Sequence, residues 1–363
     1  MKPHGVKPLR LGVVGTGYFS QFHYEAWSRM DDVEYVGLAY GSNAARARAV
    51  AEAHGVPEVF ADVEELLDQG GLDLLDVISP PETHAPIIEA AVRRGIPVIT
   101  QKPVATSLEE ARSLTARVTT AGGVVVVHDN WRFKPWFREA RRLIDDAALG
   151  QVHNVQFRLR PGDGQGESAY VDRQAYFRDM PRFLLHETGI HLIDCFRFLL
   201  GDVSAVSARL RRLNPGIAGE DAGYVIVDFA SGAAGLIDGN RLLDFPAEEP
   251  RLTMGELLVE GTQGQLRLTG DGRLYLHPHG GELREHTYGW QKRNYGGDCV
   301  FALQRHAVDH LRHGAPVENL IADYLPNLEI EEAVYQSDRT GRRIDLTGPA
   351  ALGTGVTEVG VPA

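Results

Sequence analysis

Cysteine is scarce in this sequence, where only Cys195 and Cys299 occur among 363 residues. So low a content argues against a disulfide framework and for a reducing compartment, and we therefore expect a cytoplasmic protein. Residues 1–10 lack the apolar stretch of a signal peptide. No unbroken apolar run approaches the length of about 18 residues that a membrane-spanning helix needs, so we expect no membrane span.

Long basic runs are also missing. The formal net charge is -12, and lysine and arginine never form a run that could follow a phosphate backbone. We therefore expect neither nucleic acid nor an anionic membrane as a partner. The remaining composition is ordinary for a globular protein, with 43% apolar and 24% charged residues in a chain long enough for two domains.

The first part of the chain alternates short apolar runs with helical patterns, which is typical of βαβ units and a parallel sheet. Continuous runs of valine, leucine and isoleucine indicate strands that helices cover on both faces. We predict a dinucleotide-binding α/β domain over residues 1–128. Its predicted strands are 11–14, 33–39, 72–79, 96–100 and 123–128, and its predicted helices are 44–54, 87–94 and 108–120.

The pattern changes after residue 130. Val155, Phe157 and Leu159 alternate with polar residues, which is the period of a strand with one wetter face. We predict an α+β domain on one large, open, mixed sheet over residues 129–347, and a mobile tail over 348–363. Predicted strands are 203–213, 224–229, 234–238, 256–261, 265–268 and 273–277, and predicted helices are 136–148, 184–200, 298–313 and 326–336.

A glycine-rich turn follows the first predicted strand. Gly15 would allow a tight turn, Gly17 would let the backbone approach a pyrophosphate, and Ser20 is small enough for close packing of helix and strand. The carboxylate that usually binds the ribose of NAD is missing after the second strand. Ser42 and Arg46 stand there instead, which favours NADP over NAD, although Arg46 also fits an ordinary solvated helix residue.

A lysine and a histidine are the candidate catalytic groups. Lys102 follows the strand that ends at residue 100, so it would lie at the carboxyl edge of the sheet and polarise a hydroxyl oxygen. On a helix, Glu187, His191 and Asp194 would share one face, with His191 as the base, Glu187 as its partner and Asp194 structural. A solvated lysine and a packing histidine are the structural alternatives.

Two further groups of residues leave their roles open. The segment 161–183 is rich in glycine and then in arginine and tyrosine, which suits either a polyhydroxylated ligand or a subunit contact. His306, His310 and His313 share a helical face, but without a paired carboxylate motif we predict no metal site.

Together these segments resemble the glucose–fructose oxidoreductase / inositol dehydrogenase / MocA family. The resemblance covers nearly everything from residue 9 to 344 and rests on 15–17, 79–84, Lys102-Pro103, 130–133 and 187–194. It implies an N-terminal Rossmann domain, a C-terminal domain whose open sheet mediates homodimers or homotetramers, and oxidation of a sugar or cyclitol hydroxyl with NAD or NADP. Segments 162–164, 173–178 and 213–215 are similar to the D-apiose dehydrogenase branch.

This chain departs from the family pattern at three positions. Gln101 replaces the usual glutamate before the lysine, Glu187 replaces the usual aspartate, and Gly41 replaces a frequent ribose-binding aspartate. We predict Lys102, His191 and Glu187 as catalytic residues, which also bind substrate with Arg160, Tyr176 and Arg178. The predicted cofactor-binding residues are Gly15, Gly17, Tyr18, Phe19, Ser42, Arg46, Ser79, Pro80, His84, Gln101, Lys102, Asn130 and Arg132.

The predicted function is an NAD(P)-dependent dehydrogenase of a small polyhydroxylated substrate. Hydride would pass to nicotinamide while His191 takes the hydroxyl proton and Lys102 polarises the oxygen. Two alternatives remain open at this stage. One is a non-catalytic NAD(P)-binding regulator, and the other is an enzyme that recycles its bound cofactor during glycoside cleavage or sugar transhydrogenation.

Overall fold

A computed structural model describes residues 7–68, 71–172 and 174–347. The chain divides into two compact units, one formed by residues 1–140 with 287–328 and the other by 141–286 with 329–363. Across the described ranges, no helix has both the length and the apolar character needed to cross a membrane. Arg173 and the predicted tail from residue 348 lie outside the described residues.

A parallel sheet forms the centre of the first unit. Its strands are β1 (Leu9–Val14), β2 (Val33–Ala39), β3 (Val59–Phe60), β4 (Leu74–Val77), β5 (Val98–Gln101) and β6 (Val125–His128). Their order is β3-β2-β1-β4-β5-β6, and every neighbouring pair is parallel. The strand order reverses between β1 and β4, and a dinucleotide binds at the carboxyl ends of such a switch point. The predicted Rossmann sheet is confirmed.

The second unit contains a larger sheet. Its strands are β7 (Val152–Leu159), β8 (Val203–Arg211), β9 (Ala222–Phe229), β10 (Ala234–Asn240), β11 (Gly255–Gly261), β12 (Gly264–Leu268), β13 (Leu274–Pro278), β14 (Arg284–His286) and β15 (Ile344–Asp345). Their order is β14-β13-β12-β11-β7-β10-β9-β8-β15. Only the β7–β10 pair among them is parallel in the described residues. The predicted large mixed sheet is confirmed.

Nine α-helices occur in the described residues. They are α1 (Ser20–Trp27), α2 (Ala44–His54), α3 (Val63–Asp68), α4 (His84–Arg93), α5 (Leu108–Thr120), α6 (Pro135–Asp145), α7 (Ile190–Leu200), α8 (Cys299–His313) and α9 (Ile321–Thr340). A π-helical segment, Leu184–Gly189, directly precedes α7 and is called the π-turn below. The sequence predicted one regular helix over 184–200, so the π-turn is a correction to that prediction.

Helix α8 packs in the first unit, although the sequence analysis assigned its residues to the second domain. Its apolar side chains Leu303 and Val308 belong to the same buried cluster as Leu11, Val13 and Trp27. An apolar helical stripe is buried wherever a complementary core is available, and burying each such side chain contributes about 1.5–3 kcal/mol. Sequence distance alone therefore does not define the unit to which α8 belongs.

The turn after β1 requires glycine at its first position. The φ angle of Gly15 is +110°, and a Cβ atom there would lie 2.8 Å from the carbonyl group of Ile78 and from the amide nitrogen of Ser79. Both the backbone conformation and the close approach of the next strand exclude a side chain. The turn can therefore lie flat against the end of β4.

We predict that Gly15→Ala lowers the free energy of unfolding by about 2–4 kcal/mol, because the methyl group must displace backbone atoms. Urea unfolding followed by circular dichroism measures the change. Gly41→Ala is the matched control, since a Cβ atom at Gly41 would meet no atom of the described residues within 4 Å. Equal losses in the two variants would contradict the steric account.

Candidate active site

The glycine-rich turn is held by hydrogen bonds from the helix that follows it. The Ser20 hydroxyl donates to the Gly17 carbonyl oxygen at 2.7 Å, and the Tyr24 hydroxyl donates to the Gly15 carbonyl oxygen at 3.1 Å. Ser20 is buried, so its small side chain fills the position where the family pattern most often has glycine or alanine. The turn therefore presents Gly17 on its open side, where a Cβ atom would meet only the Ile78 carbonyl oxygen at 3.9 Å.

Two aromatic residues of the same turn have different surroundings. Phe19 makes ring contacts with Phe22 and Tyr295, at centroid distances of 5.1 and 5.5 Å. Tyr18 is 39% exposed. Their predicted contact with a cofactor stays a prediction, and Tyr18 is the more exposed of the two.

The segment after β2 carries no carboxylate. Asn43 caps α2 by accepting a hydrogen bond from the Arg46 amide at 2.9 Å. Gly41, Ser42 and Arg46 are exposed, so the hydroxyl and the guanidinium are accessible where the ribose-binding acid usually stands. This geometry is compatible with a 2′-phosphate, because an anion there would meet a donor and a cation.

The segment after β4 is braced by a buried histidine. His84 lies with one ring nitrogen 2.8 Å from the Ser79 carbonyl oxygen and the other 2.9 Å from the Pro103 carbonyl oxygen. Burial lowers the pKa of His84, and the two carbonyl contacts oppose that effect. A neutral ring donates to only one of the two carbonyl oxygens, and His84 lies between the segments after β4 and β5. Its predicted cofactor contact, like that of exposed Pro80, stays a prediction.

A buried polar network lies beneath Lys102. The Gln101 side-chain amide nitrogen is 2.8 Å from His23 Nε2 and 3.2 Å from His128 Nδ1, while its oxygen accepts from the Lys102 backbone amide at 3.2 Å. His23 Nδ1 lies 2.8 Å from a carboxylate oxygen of Asp76. Since the amide nitrogen only donates, both facing imidazole nitrogens accept, and His23 carries its proton on Nδ1.

This network fixes the backbone from which the Lys102 side chain extends. Trp27 also donates to the same Asp76 oxygen, at 2.6 Å. The Lys102–Pro103 peptide is cis, and Lys102 is partly exposed. Gln101 was predicted to contact the cofactor, whereas the structure directs its amide towards two histidines. A hydrogen-bonded network of this kind restrains its neighbours.

Asn130 and Arg132 follow β6 on the same edge of the sheet. Asn130 is buried, and its carbonyl oxygen accepts from the Phe133 amide at 3.0 Å. Arg132 lies 3.4 Å from a carboxylate oxygen of Glu318, which also binds Arg138. Arg132 is therefore already paired with a carboxylate within its own unit, and the predicted cofactor contacts of both residues stay predictions.

In the second unit, the candidate base lies at the start of α7. His191 is 9% exposed, and Asp194 is fully buried. Glu187 lies in the π-turn, so it does not share a regular α-helical face with those two residues as the sequence predicted. A π-turn inserts an extra residue into the helical ladder and often marks functional sites. It rotates Glu187 relative to α7.

The Glu187 carboxylate is bound by two neighbours. The Thr188 hydroxyl donates to Glu187 Oε2 at 2.6 Å, and Arg241 Nη1 lies 3.7 Å from the same oxygen. Arg241 is buried and also binds Asp163 through Nε at 3.0 Å and Nη2 at 2.6 Å. Sequence analysis missed Arg241. The only signal was a charged residue directly after the alternating pattern of β10.

The predicted substrate residues Arg160, Tyr176 and Arg178 differ in how far they are engaged within the protein. Arg160 is buried and binds the Asp238 carboxylate at 2.6 Å. Arg178 Nη1 donates to the Ala169 carbonyl oxygen at 3.2 Å. Tyr176 is exposed. Arg160 and Arg178 therefore help to anchor the strand and the loop, and their predicted contact with substrate stays a prediction.

Two of the histidines on α8, His306 and His310, contact backbone groups of the segment that follows the helix. The Glu318 amide donates to His306 Nε2 at 2.8 Å, and His310 Nδ1 lies 2.7 Å from the Ala315 carbonyl oxygen. Within the described part of the chain, no group of three or more His, Cys, Asp or Glu side chains is arranged to hold a metal ion.

Comparison with known proteins gives matches along most of the chain. Residues 9–129 match the model described as "Oxidoreductase family, NAD-binding Rossmann fold", and residues 137–267 match the GFO/IDH/MocA C-terminal domain. D-apiose dehydrogenase of Paraburkholderia graminis is 31% identical over 97% of this chain and 93% of its own. Inositol 2-dehydrogenase of Rhizobium meliloti is 32% identical over 64% of this chain and 69% of its own.

A solved structure is also similar over almost the full length. It is an oxidoreductase from Agrobacterium radiobacter in complex with NAD+, L-tartaric acid and magnesium. It shares 26% identity with this chain at a TM-score of 0.84, and the match covers 93% of this chain and 98% of that one. The matched 93% of this chain includes strands of both the parallel sheet and the mixed sheet.

We predict that Gln101→Met lowers the free energy of unfolding by about 2–4 kcal/mol, because two buried imidazole nitrogens lose their donor. Urea unfolding measures this loss. Gln21→Met is the matched control, since Gln21 loses only an exposed hydrogen bond to the Tyr18 carbonyl oxygen and should change stability by less than about 0.5 kcal/mol. If Gln21→Met lowers the free energy of unfolding as much as Gln101→Met does, the buried network does not stabilise this edge of the parallel sheet.

Proposed function

The chain belongs to the Gfo/Idh/MocA family and is an NAD(P)-dependent oxidoreductase acting on CH–OH groups, and from this premise we propose that it oxidises a hydroxyl of an aldose or cyclitol. The observation that carries the proposal lies in the first unit. The Gly15 turn follows β1 and Lys102 follows β5, and parallel strands of one sheet end at the same edge. A nucleotide-binding turn and an ammonium group at one edge suit hydride transfer from an alcohol.

The proposed mechanism divides the reaction between two side chains. The bound nicotinamide supplies the hydride acceptor. Lys102 donates a hydrogen bond to the hydroxyl oxygen as negative charge develops there. His191 accepts the hydroxyl proton as the general base. Glu187 holds or relays that proton. The carbon thus loses a hydride and the oxygen a proton, and the alcohol becomes a carbonyl or a lactone.

The substrate class is proposed from the relatives and from the second unit. D-apiose dehydrogenase is similar over 97% of this chain, which supports an aldose oxidised to its lactone. Exposed Tyr176 and the hydrogen-bonding groups of Glu187 and His191 suit a ligand with several hydroxyls. A cyclitol remains within the proposed class, since an inositol dehydrogenase is also similar.

The proposed assembly is a homodimer or homotetramer formed through the large sheet. Tyr224 and Ile226 lie on the solvent face of β9 and are about half exposed, at 46% and 50%. Neighbouring apolar side chains on one open sheet face favour a contact between copies. The scarcity of cysteine continues to support a cytoplasmic location as part of the proposal.

We predict that Lys102→Ala lowers kcat at least about 100-fold, because the alkoxide loses its charged donor. Dinucleotide affinity, measured by quenching of protein fluorescence, should change less than about threefold. Turnover is measured with the best substrate from a panel of aldoses, polyols and cyclitols. Lys7→Ala is a control at an exposed lysine.

Parallel loss of turnover and dinucleotide affinity in Lys102→Ala would identify a structural lysine and contradict the proposed role. Tight dinucleotide binding by the wild-type protein without turnover on any sugar would instead favour a non-catalytic regulator. A dinucleotide that stays bound through purification and returns to its original redox state would favour a cofactor-recycling enzyme.

A preference for NADP is the finer part of the cofactor proposal. We predict that Arg46→Ala weakens NADPH binding about tenfold and leaves NADH binding unchanged, because only the 2′-phosphate loses a charged partner. Arg48→Ala, at an exposed position of the same helix, should change neither dissociation constant. Equal effects of Arg46→Ala on both dinucleotides, or no effect on either, would contradict this assignment.

A further inference from the structure

The π-turn contains a threonine between a buried cation and the Glu187 carboxylate. Thr188 is 1% exposed. Its hydroxyl oxygen accepts a hydrogen bond from Arg241 Nη1 at 2.9 Å and donates one to Glu187 Oε2 at 2.6 Å. The three side chains therefore form a chain of hydrogen bonds within the second unit.

The direction of this chain is fixed by chemistry. A guanidinium group only donates, so the Thr188 oxygen must accept from Arg241. The single hydroxyl proton is then available for Glu187, whose ionised carboxylate only accepts. Reversing the second bond would require a protonated Glu187. The arrangement therefore favours the charged carboxylate and holds it in one orientation.

Arg241, from which this series of hydrogen bonds starts, is held in place by its neighbours. Asp163 binds Arg241 through both oxygens, at 3.0 and 2.6 Å, and three rings surround the guanidinium at 4.7–5.4 Å: Tyr170, Phe177 and Phe183. Burial alone would lower the pKa of Arg241, but Asp163 and the other neighbours raise it above its ordinary value. Arg241 is therefore charged at neutral pH.

We propose that Thr188 is a positioning residue that transmits the charge of Arg241 to Glu187, keeping that carboxylate ionised and oriented for the reaction. The inference rests on the proposed function in assigning Glu187 a role beside His191. It goes further by explaining why the π-turn is present: the turn places the hydroxyl of Thr188 and the carboxylate of its neighbour on the side of Arg241.

The alternative is a hydroxyl that only satisfies a buried arginine. Under that alternative, removing the hydroxyl would lower stability and leave the ionisation of Glu187 unchanged. Thr188 distinguishes the two explanations better than Arg241, because a substitution of Arg241 would also remove the cation that pairs with Asp163.

The test compares Thr188→Val, which removes the hydroxyl with little change of shape, with Thr188→Ser, which keeps it. The first readout is the carboxyl-carbon resonance of Glu187 in isotope-labelled full-length protein, assigned by its absence from Glu187→Gln. We expect the titration midpoint of Glu187 to rise by roughly one pH unit in Thr188→Val, since the charged form loses a strong donor. Thr188→Ser should titrate as the wild type does.

The second readout is the split between kcat and KM with the best sugar substrate. Thr188→Val should lower kcat about tenfold and change KM less than about threefold, because the Glu187 carboxylate loses the donor that orients it for the reaction, and Thr188→Ser should restore kcat. Thr115→Val is the matched control, because the buried Thr115 hydroxyl has no hydrogen-bond partner among the described residues and lies in the other unit. It should leave both readouts unchanged.

The two readouts separate failure of this inference from failure of the proposed function. An unchanged Glu187 midpoint in Thr188→Val overturns the inference, whatever the enzyme's activity. A raised midpoint supports it even if no sugar in the panel is oxidised, and in that case the proposed function fails while the electrostatic link remains. A raised midpoint with an unchanged kcat would overturn the catalytic part of the inference.

Discussion

The close approach of two backbone segments at the carboxyl edge of the parallel sheet is the constraint on which the candidate site depends. Gly15 can turn beside Ile78 because it has no side chain and adopts a positive φ angle. The turn therefore leaves uncovered the part of the sheet edge where β5 ends at Gln101 and Lys102 follows. A nucleotide-binding turn and a lysine therefore share one edge as a consequence of strand order, independently of the distance between them in the sequence.

Each unit supports its candidate catalytic group with a buried polar network. In the first unit, the side-chain nitrogen of Gln101 donates to one ring nitrogen of each of two histidines. Its side-chain oxygen accepts a hydrogen bond from the Lys102 backbone amide. In the second, Arg241 and Thr188 bind the Glu187 carboxylate. Both networks use donors whose direction is fixed by chemistry, so each imposes a single protonation state on its acceptors. Rigid support of this kind is what a hydride-transfer site requires of its surroundings.

Sequence reasoning predicted those elements whose signal is local. Helix α2 begins and ends where predicted because Asn43 caps it and Gly55 adopts the left-handed conformation at its end. The π-turn was missed because the apolar pattern of 184–200 is the same for either helix type. Helix α9 begins before Pro326, although proline usually marks a first turn. Arg241 acquires its role only from residues distant in sequence, which no local pattern reveals.

Reduction of NADP and NAD by the purified chain, followed by absorbance across aldoses, polyols and cyclitols, tests the central claim most directly. The account predicts turnover with at least one such compound, faster with NADP than with NAD, and with one reduced dinucleotide formed for each hydroxyl oxidised. Tight binding of either dinucleotide without reduction by any member of the panel would contradict a sugar dehydrogenase.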